Sequence, residues 1–221
     1  MTGDCKTQSH PLPQEEIIYP GYLETYWMAF RVLGVGSSLR SNASSTIAVS
    51  VSLNIAKKYG AETRLLDLKQ NKLPLYDPTE NQSLPEILKA KDDVAWSDAL
   101  ILSTPDYHGS MSGAMKNFLD YFWAEFAGKT FGYVCSSHEK GLTAMDQMRT
   151  AVRQCYGWSM PYGVSVSDSD DFIDGKMTPK LESRLEMLAR DLVTYGQVLR
   201  KQFLNDMGST ENTFASRYKK S

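Results

Sequence analysis

The residues with the most chemistry in one place are Thr104-Pro105-Asp106-Tyr107-His108-Gly109-Ser110, which follow the apolar run Ala99-Leu100-Ile101-Leu102-Ser103. They lead into Ser112-Gly113-Ala114-Met115-Lys116-Asn117-Phe118-Leu119-Asp120, so the pattern is a short buried strand, a loop and a helix. A Pro, an aromatic ring, a Gly and a small hydroxyl in one loop can set backbone N–H groups and a ring face against a flat, polar-edged ligand. A flavin ring is a ligand of that kind.

A second loop, Gly36-Ser37-Ser38-Leu39-Arg40-Ser41-Asn42-Ala43-Ser44-Ser45, follows the strand Phe30-Arg31-Val32-Leu33-Gly34-Val35 and runs straight into a helix. Its hydroxyls, one guanidinium and a helix N-terminus converge, and that donor set suits a phosphate monoester dianion. Taken alone, the same residues read equally well as a hydrophilic turn with helix N-caps. The loop lacks the Gly-Lys-Ser/Thr of a Walker motif and the G-x-G-x-x-G of a dinucleotide fold, which disfavours nucleoside triphosphate chemistry. A third loop, Ser136-Ser137-His138-Glu139-Lys140-Gly141, is expected to close over the far edge of the same ligand. For His138, ligand contact and a surface position stand as equal readings.

These loops need a scaffold that brings them together. Thr63 to Leu68 reads as a second strand, Leu73 to Pro78 as an exposed loop and Leu84 to Trp96 as a helix before the third strand at Ala99. Met115, Phe118, Leu119 and Phe122 share a helical face, and Thr130 to Cys135 is a fourth strand. Leu142, Met145, Met148, Val152 and Cys155 mark another helix, and Tyr162 to Val166 a fifth strand with the alternation of an edge position. Thr178-Pro179 starts the final helix, where Leu181, Leu185, Leu188, Leu192, Tyr195 and Leu199 recur at steps of three and four. Strands alternating with helices predict a doubly wound, five-stranded parallel sheet of order 2-1-3-4-5, with helices on both faces. Ligands in such a sheet sit beyond the carboxyl ends of the first and third strands, where strand order reverses. We divide the chain into an arm over 1–29 with aromatic residues Tyr19, Tyr22, Tyr26 and Trp27, a domain over 30–205 and a polar tail over 206–221.

The 221 residues carry a formal charge of −2, which gives no broad attraction to nucleic acid or anionic membrane. Cys5, Cys135 and Cys155 form no C-x-x-C and no even framework, the usage of a reducing compartment. No stretch approaches the roughly 18–20 apolar residues of a membrane span, and the N-terminus lacks the pattern of a signal peptide, so cytoplasmic residence is expected. His10, His108 and His138 lack zinc spacing with each other or with the cysteines, so no metal site is expected. Asp168-Ser169-Asp170-Asp171-Phe172-Ile173-Asp174 lacks the spacing and terminal Glu of an EF-hand and reads as a solvated loop. No G-x-S-x-G supports a hydrolase.

The run Pro-x-Tyr-x-x-Ser (Pro105, Tyr107, Ser110) followed by Gly-x-x-Lys-Asn (Gly113, Lys116, Asn117) resembles the ring-binding loop of the NADPH-dependent FMN reductase family, a branch of the flavodoxin-like folds. The first loop is similar to that family's Gly-Ser-x-Arg-x-x-Ser phosphate motif, with Ser38 and Arg40 in place. Ser37 stands where the motif has Gly, and the next serine comes one residue late, at Ser44. The resemblance implies FMN, with its phosphate near Ser38, Arg40, Asn42, Ser44 and Ser45 and its ring against Pro105, Asp106, Tyr107, His108, Gly109 and Ser110. Ser136, Ser137 and His138 would meet the ring's other edge, where relatives commonly have a more Gly-rich loop. Packing in the core or against another subunit is the competing reading for Tyr107; Lys116 and Asn117 read as helix-end residues rather than ligands.

The resemblance further implies hydride transfer from NADPH through FMN to a small-molecule electron acceptor: a quinone, an azo compound, a metal ion or oxyanion, or free flavin. Such chemistry is centred on the flavin and needs no dedicated catalytic side chain. It also implies a homodimer or homotetramer, to which the aromatic arm would contribute. A flavodoxin-like electron carrier or FMN-binding regulatory module without direct NADPH oxidation is the alternative, although such carriers are usually strongly acidic. A scaffold of this fold that has lost flavin is a third reading.

Overall fold

A computed structural model describes residues 29–80 and 82–218. The aromatic arm, with Cys5 and His10, therefore lies outside the described residues. Strand β1 (Arg31–Gly36) leads to α1 (Ser44–Lys58), β2 (Glu62–Asp67), α2 (Pro85–Trp96), β3 (Ala99–Tyr107), β4 (Ser110–Met111) and α3 (Gly113–Asp120). Then come β5 (Thr130–Ser136), α4 (Leu142–Gln154), β6 (Trp158–Ser159), β7 (Val164–Val166), the small hairpin β8 (Phe172–Ile173) and β9 (Lys176–Met177), and α5 (Pro179–Gly208).

The main sheet runs β2-β1-β3-β5-β6, with β7 also on β5 and β4 antiparallel on the end of β3. This is a flavodoxin-like α/β architecture, but the sheet has seven strands rather than the expected five. The expected fifth strand, Tyr162 to Val166, is present as β7, and a further short strand that was not expected, β6, precedes it on β5. Thr130 and Phe131 pair with Trp158 and Ser159, whereas Val134 to Ser136 pair with Val164 to Val166, and the chain leaves the sheet between them. The other extra strand, β4, arises because Pro105, Asp106 and Tyr107 are not loop but the end of a nine-residue strand. His108 and Gly109 have φ of +58° and +74°, the sign pattern of a type I′ two-residue turn, so the strand folds back on itself as β4.

Both faces of the sheet are covered, which explains the near-continuous apolar runs of β1, β3 and β5. Leu33, Val35, Leu100, Leu102, Phe131 and Tyr133 pack against α2, α3 and α4. Val32, Ile101 and Val134 pack against α1 and α5, where Leu181, Leu185, Leu188 and Leu192 are fully buried. The α5 stripe does not continue through Tyr195, which is 54% exposed; Val193, Gly196 and Phe203 take over the buried side. Over a helix this long, a stripe spaced at three and four drifts around the axis. The segment expected to be a polar tail contributes Phe214, Ala215 and Tyr218 to a small cluster on Phe203, so within its described part it is packed. No helix among the described residues is long and apolar enough to cross a membrane.

Gly34 sets how closely α1 approaches the sheet. A Cβ there would lie 2.7 Å from Leu53 Cδ1 and 2.8 Å from Val49 Cγ2. Gly34→Val is expected to lower stability by about 1–3 kcal/mol through overpacking, read as a lower urea midpoint at unchanged slope.

Candidate functional site

The loops after β1, β3 and β5 and the turn after β7 meet at the carboxyl end of the sheet. Buried hydroxyls hold the first two together. Ser37 N and Ser37 Oγ both donate to Ser103 O at 3.0 Å, and Ser103 Oγ donates to Ser45 O at 2.7 Å. Ser112 Oγ donates towards Ser37 Oγ at 2.9 Å and accepts from Met115 N at 3.2 Å as the N-cap of α3. Ser112 N donates to Thr104 Oγ1 at 2.9 Å. Sequence reasoning treated Ser37 only as a departure from a motif and passed over Ser103, Thr104 and Ser112. The signal was present: hydroxyls sit at the carboxyl ends of strands that are otherwise apolar.

Two adjoining clefts result, of about 320 and about 170 Å³, which share Arg40, Pro105, Ser136 and Asp168. The larger also takes Ser38, Asn42, Ser44 and Ser45 from the first loop and the head of α1. Here α1 begins without a side-chain cap at Ala43 and without an acidic residue in its first turn. Ser45 is 1% exposed, yet its Oγ is buried with no hydrogen-bond partner. An uncapped helix start with a spare buried hydroxyl and a neighbouring guanidinium is a donor set that fits a phosphate.

The smaller cleft is lined by Asp106, Tyr107, Ser137 and His138 besides the shared residues. Ser137 Oγ donates to Asp106 Oδ2 at 2.9 Å and ties the second loop to the third, while Asp106 Oδ1 is buried without a partner. Tyr107 is 47% exposed, so it belongs to no core, and its ring is free to lie against a ligand. His108 and Gly109 occupy the hairpin tip and line neither cleft; Ser110 turns to α4, where its hydroxyl donates to Gln147 Oε1 at 2.8 Å. Asn117 pins the Pro-bearing loop, donating to Pro74 O at 2.7 Å and accepting from Tyr76 N at 2.8 Å, and Lys116 pairs with Asp120 at 2.6 Å. Burial, reinforced by the Asp106 charge, pushes the Cys135 thiol up to about 12 and leaves it neutral and unreactive near pH 7.

Asp168, Phe172 and Gly175 also line the larger cleft, although the sequence reading gave this stretch to solvent. Its position just after the last strand at the carboxyl edge was the clue.

The family model for NADPH-dependent FMN reductases matches residues 30–171, the portion that builds all of these loops except the hairpin beyond β7. The chain belongs to the NADPH-dependent FMN reductase family. It is therefore an oxidoreductase that uses NADPH as electron donor and FMN as flavin. An NADPH azoreductase of Bacillus sp. (strain OY1-2) is 32% identical over 144 residues, 63% of this chain and 80% of that protein. The NADPH-dependent FMN reductase ArsH of Shigella flexneri is 25% identical over 180 residues, 77% of this chain and 70% of that one. The structure of FerB, a flavoenzyme NAD(P)H:(acceptor) oxidoreductase from Paracoccus denitrificans, superposes with a TM-score of 0.64 at 20% identity, covering 77% of this chain and 98% of FerB. At that identity the likeness concerns the fold.

In this FMN reductase Ser112 joins two loops and caps a helix at once. Ser112→Ala is expected to cost about 1–3 kcal/mol in urea unfolding, because it removes the cap on Met115 N and the buried hydrogen bond to Ser37 Oγ, while the backbone bond to Thr104 stays.

Proposed function

We propose that the larger cleft takes the FMN phosphate and the smaller one the isoalloxazine, and that the enzyme passes electrons from NADPH to a small-molecule acceptor of the azo, quinone or oxyanion class. The observation that carries this reading is the unpartnered, buried Ser45 hydroxyl at the uncapped start of α1, beside Arg40. Ser38, Arg40, Asn42, Ser44 and Ser45 then supply the donors for the phosphate. Pro105, Asp106, Tyr107, Ser136, Ser137 and His138 frame the ring, and the backbone of His108, Gly109 and Ser110 holds the hairpin that presents Tyr107. When bound, FMN supplies the hydride-accepting and electron-delivering chemistry.

The protein's own part is positional. Asp106 and Ser137 hold the two ring-side loops at a set separation, and the type I′ turn keeps Tyr107 projected beside them. The names of the Bacillus and Shigella relatives support azo compounds and flavin as acceptors. Leu75 at 85% and Trp123 at 68% exposed are large apolar side chains left uncovered by the described residues, and support association as a homodimer or homotetramer. A cytoplasmic enzyme is the setting that fits NADPH as donor.

Anaerobic addition of NADPH to the protein with FMN is expected to bleach the flavin absorbance rapidly, and an azo dye or quinone to restore it. Flavin that binds but stays oxidised would instead indicate an electron carrier or regulatory module, and absence of flavin binding would remove the site. Arg40→Ala is expected to weaken FMN by about 1.5–3 kcal/mol, the scale of a charge-assisted hydrogen bond. An unchanged FMN titration would take Arg40 out of the site.

A further inference from the structure

One side chain in the phosphate cleft carries the wrong charge for a phosphate. Asp168, two residues beyond β7, lines both clefts, and its Oδ1 accepts the hydrogen of Ser44 Oγ. A serine hydroxyl has one hydrogen to give, and a phosphate dianion has only acceptors to offer. Ser44 therefore cannot serve Asp168 and a phosphate together. Ser136 Oγ lies 3.0 Å from Ser44 Oγ, and with the Ser44 hydrogen given to Asp168 the Ser136 hydroxyl is the donor of that pair. Of the two serines heading α1, only Ser45 has an uncommitted hydroxyl.

The turn that presents Asp168 is clamped. Asp171, 5% exposed, accepts from Ser167 N at 2.9 Å and from Arg184 Nη2 at 2.5 Å, and Arg184 Nη1 donates to Ser165 O at 2.7 Å. Thr178 N donates to Asp171 O at 2.9 Å and closes the far end. Arg184 thus bridges the strand end before Asp168 and the carboxylate after it, so the residue between them is held at the cleft mouth. Among the described residues no basic group, Arg40 included, lies within ion-pair distance of Asp168.

We propose that Asp168 is a specificity-determining residue that weakens the hold on the flavin's phosphate, so that the preference for FMN over riboflavin is smaller than the phosphate donors of the cleft alone would give. The proposal rests on the phosphate placement given above. A dianion entering the cleft meets a like charge and competes for the Ser44 hydrogen, whereas riboflavin, which ends in a neutral hydroxyl, meets neither penalty.

The test is to titrate FMN and riboflavin separately into the wild type, Asp168→Asn and Asp168→Ala, following flavin fluorescence. Asn keeps an acceptor for Ser44 and removes only the charge; Ala also releases the Ser44 hydrogen. The FMN Kd is expected to fall about tenfold in Asp168→Asn, equivalent to about 1.4 kcal/mol, and further in Asp168→Ala, while the riboflavin Kd stays within about twofold. Both flavins shifting together would mark a merely structural role and overturn the proposal, as would FMN binding that is unchanged or weaker. If Arg40→Ala weakens FMN alone while the Asp168 variants move nothing, the phosphate placement stands and the role of Asp168 falls. If neither flavin binds any form, the placement and the proposal fall together.

Discussion

The site depends on a cluster of buried hydroxyls at the point where the β1 and β3 chains leave the sheet. Ser37, Ser103, Thr104 and Ser112 are at most 4% exposed and satisfy one another and the backbone around them. Each buried hydroxyl left without a partner would cost about 1–3 kcal/mol, so the arrangement holds only as a whole. Its consequence is geometric: the first loop, the head of α1 and the start of α3 are fixed relative to one another before any ligand arrives.

The depth of α1 is the second constraint. Gly34 brings the helix down onto β1, and that places its uncapped first turn at the rim of the cleft instead of in open solvent. The helix end and Arg40 supply positive potential, and the Arg184–Asp171 clamp supplies a negative charge through Asp168. The cleft is thus electrostatically divided, unlike a cradle built only from donors, and the division is set by a turn distant in sequence from the phosphate loop.

Much of the architecture was legible in the sequence because both sheet faces are buried. Apolar runs at Val32–Val35, Ala99–Leu102 and Phe131–Cys135 mark parallel strands, and the helices between them carry matching apolar faces. What was misread follows from local geometry that patterning does not encode. Pro105 to Tyr107 contain turn-favouring residues, yet they extend β3 because positive φ at His108 and Gly109 closes a hairpin. The short strand β6 went unrecognised because only two of its residues pair, at the opposite end of β5 from β7. The α5 stripe was followed along a fixed spacing past Leu192, where the burial moves to Val193 and Gly196.

The sequence by itself determined the alternation of strands and helices in an α/β fold and the family to which the chain belongs, and it marked two loops as candidates to face a ring and a phosphate. Residue type and spacing suffice for these, since hydrophobic period, caps and turn residues act within a few positions of one another. Only the tertiary structure decided that Ser110 turns to Gln147, that Ser44 is committed to Asp168, and that Ser45 is left free. Those outcomes depend on partners 37 and 124 positions away in the chain, and a hydroxyl's single hydrogen goes to whichever acceptor the fold carries within reach.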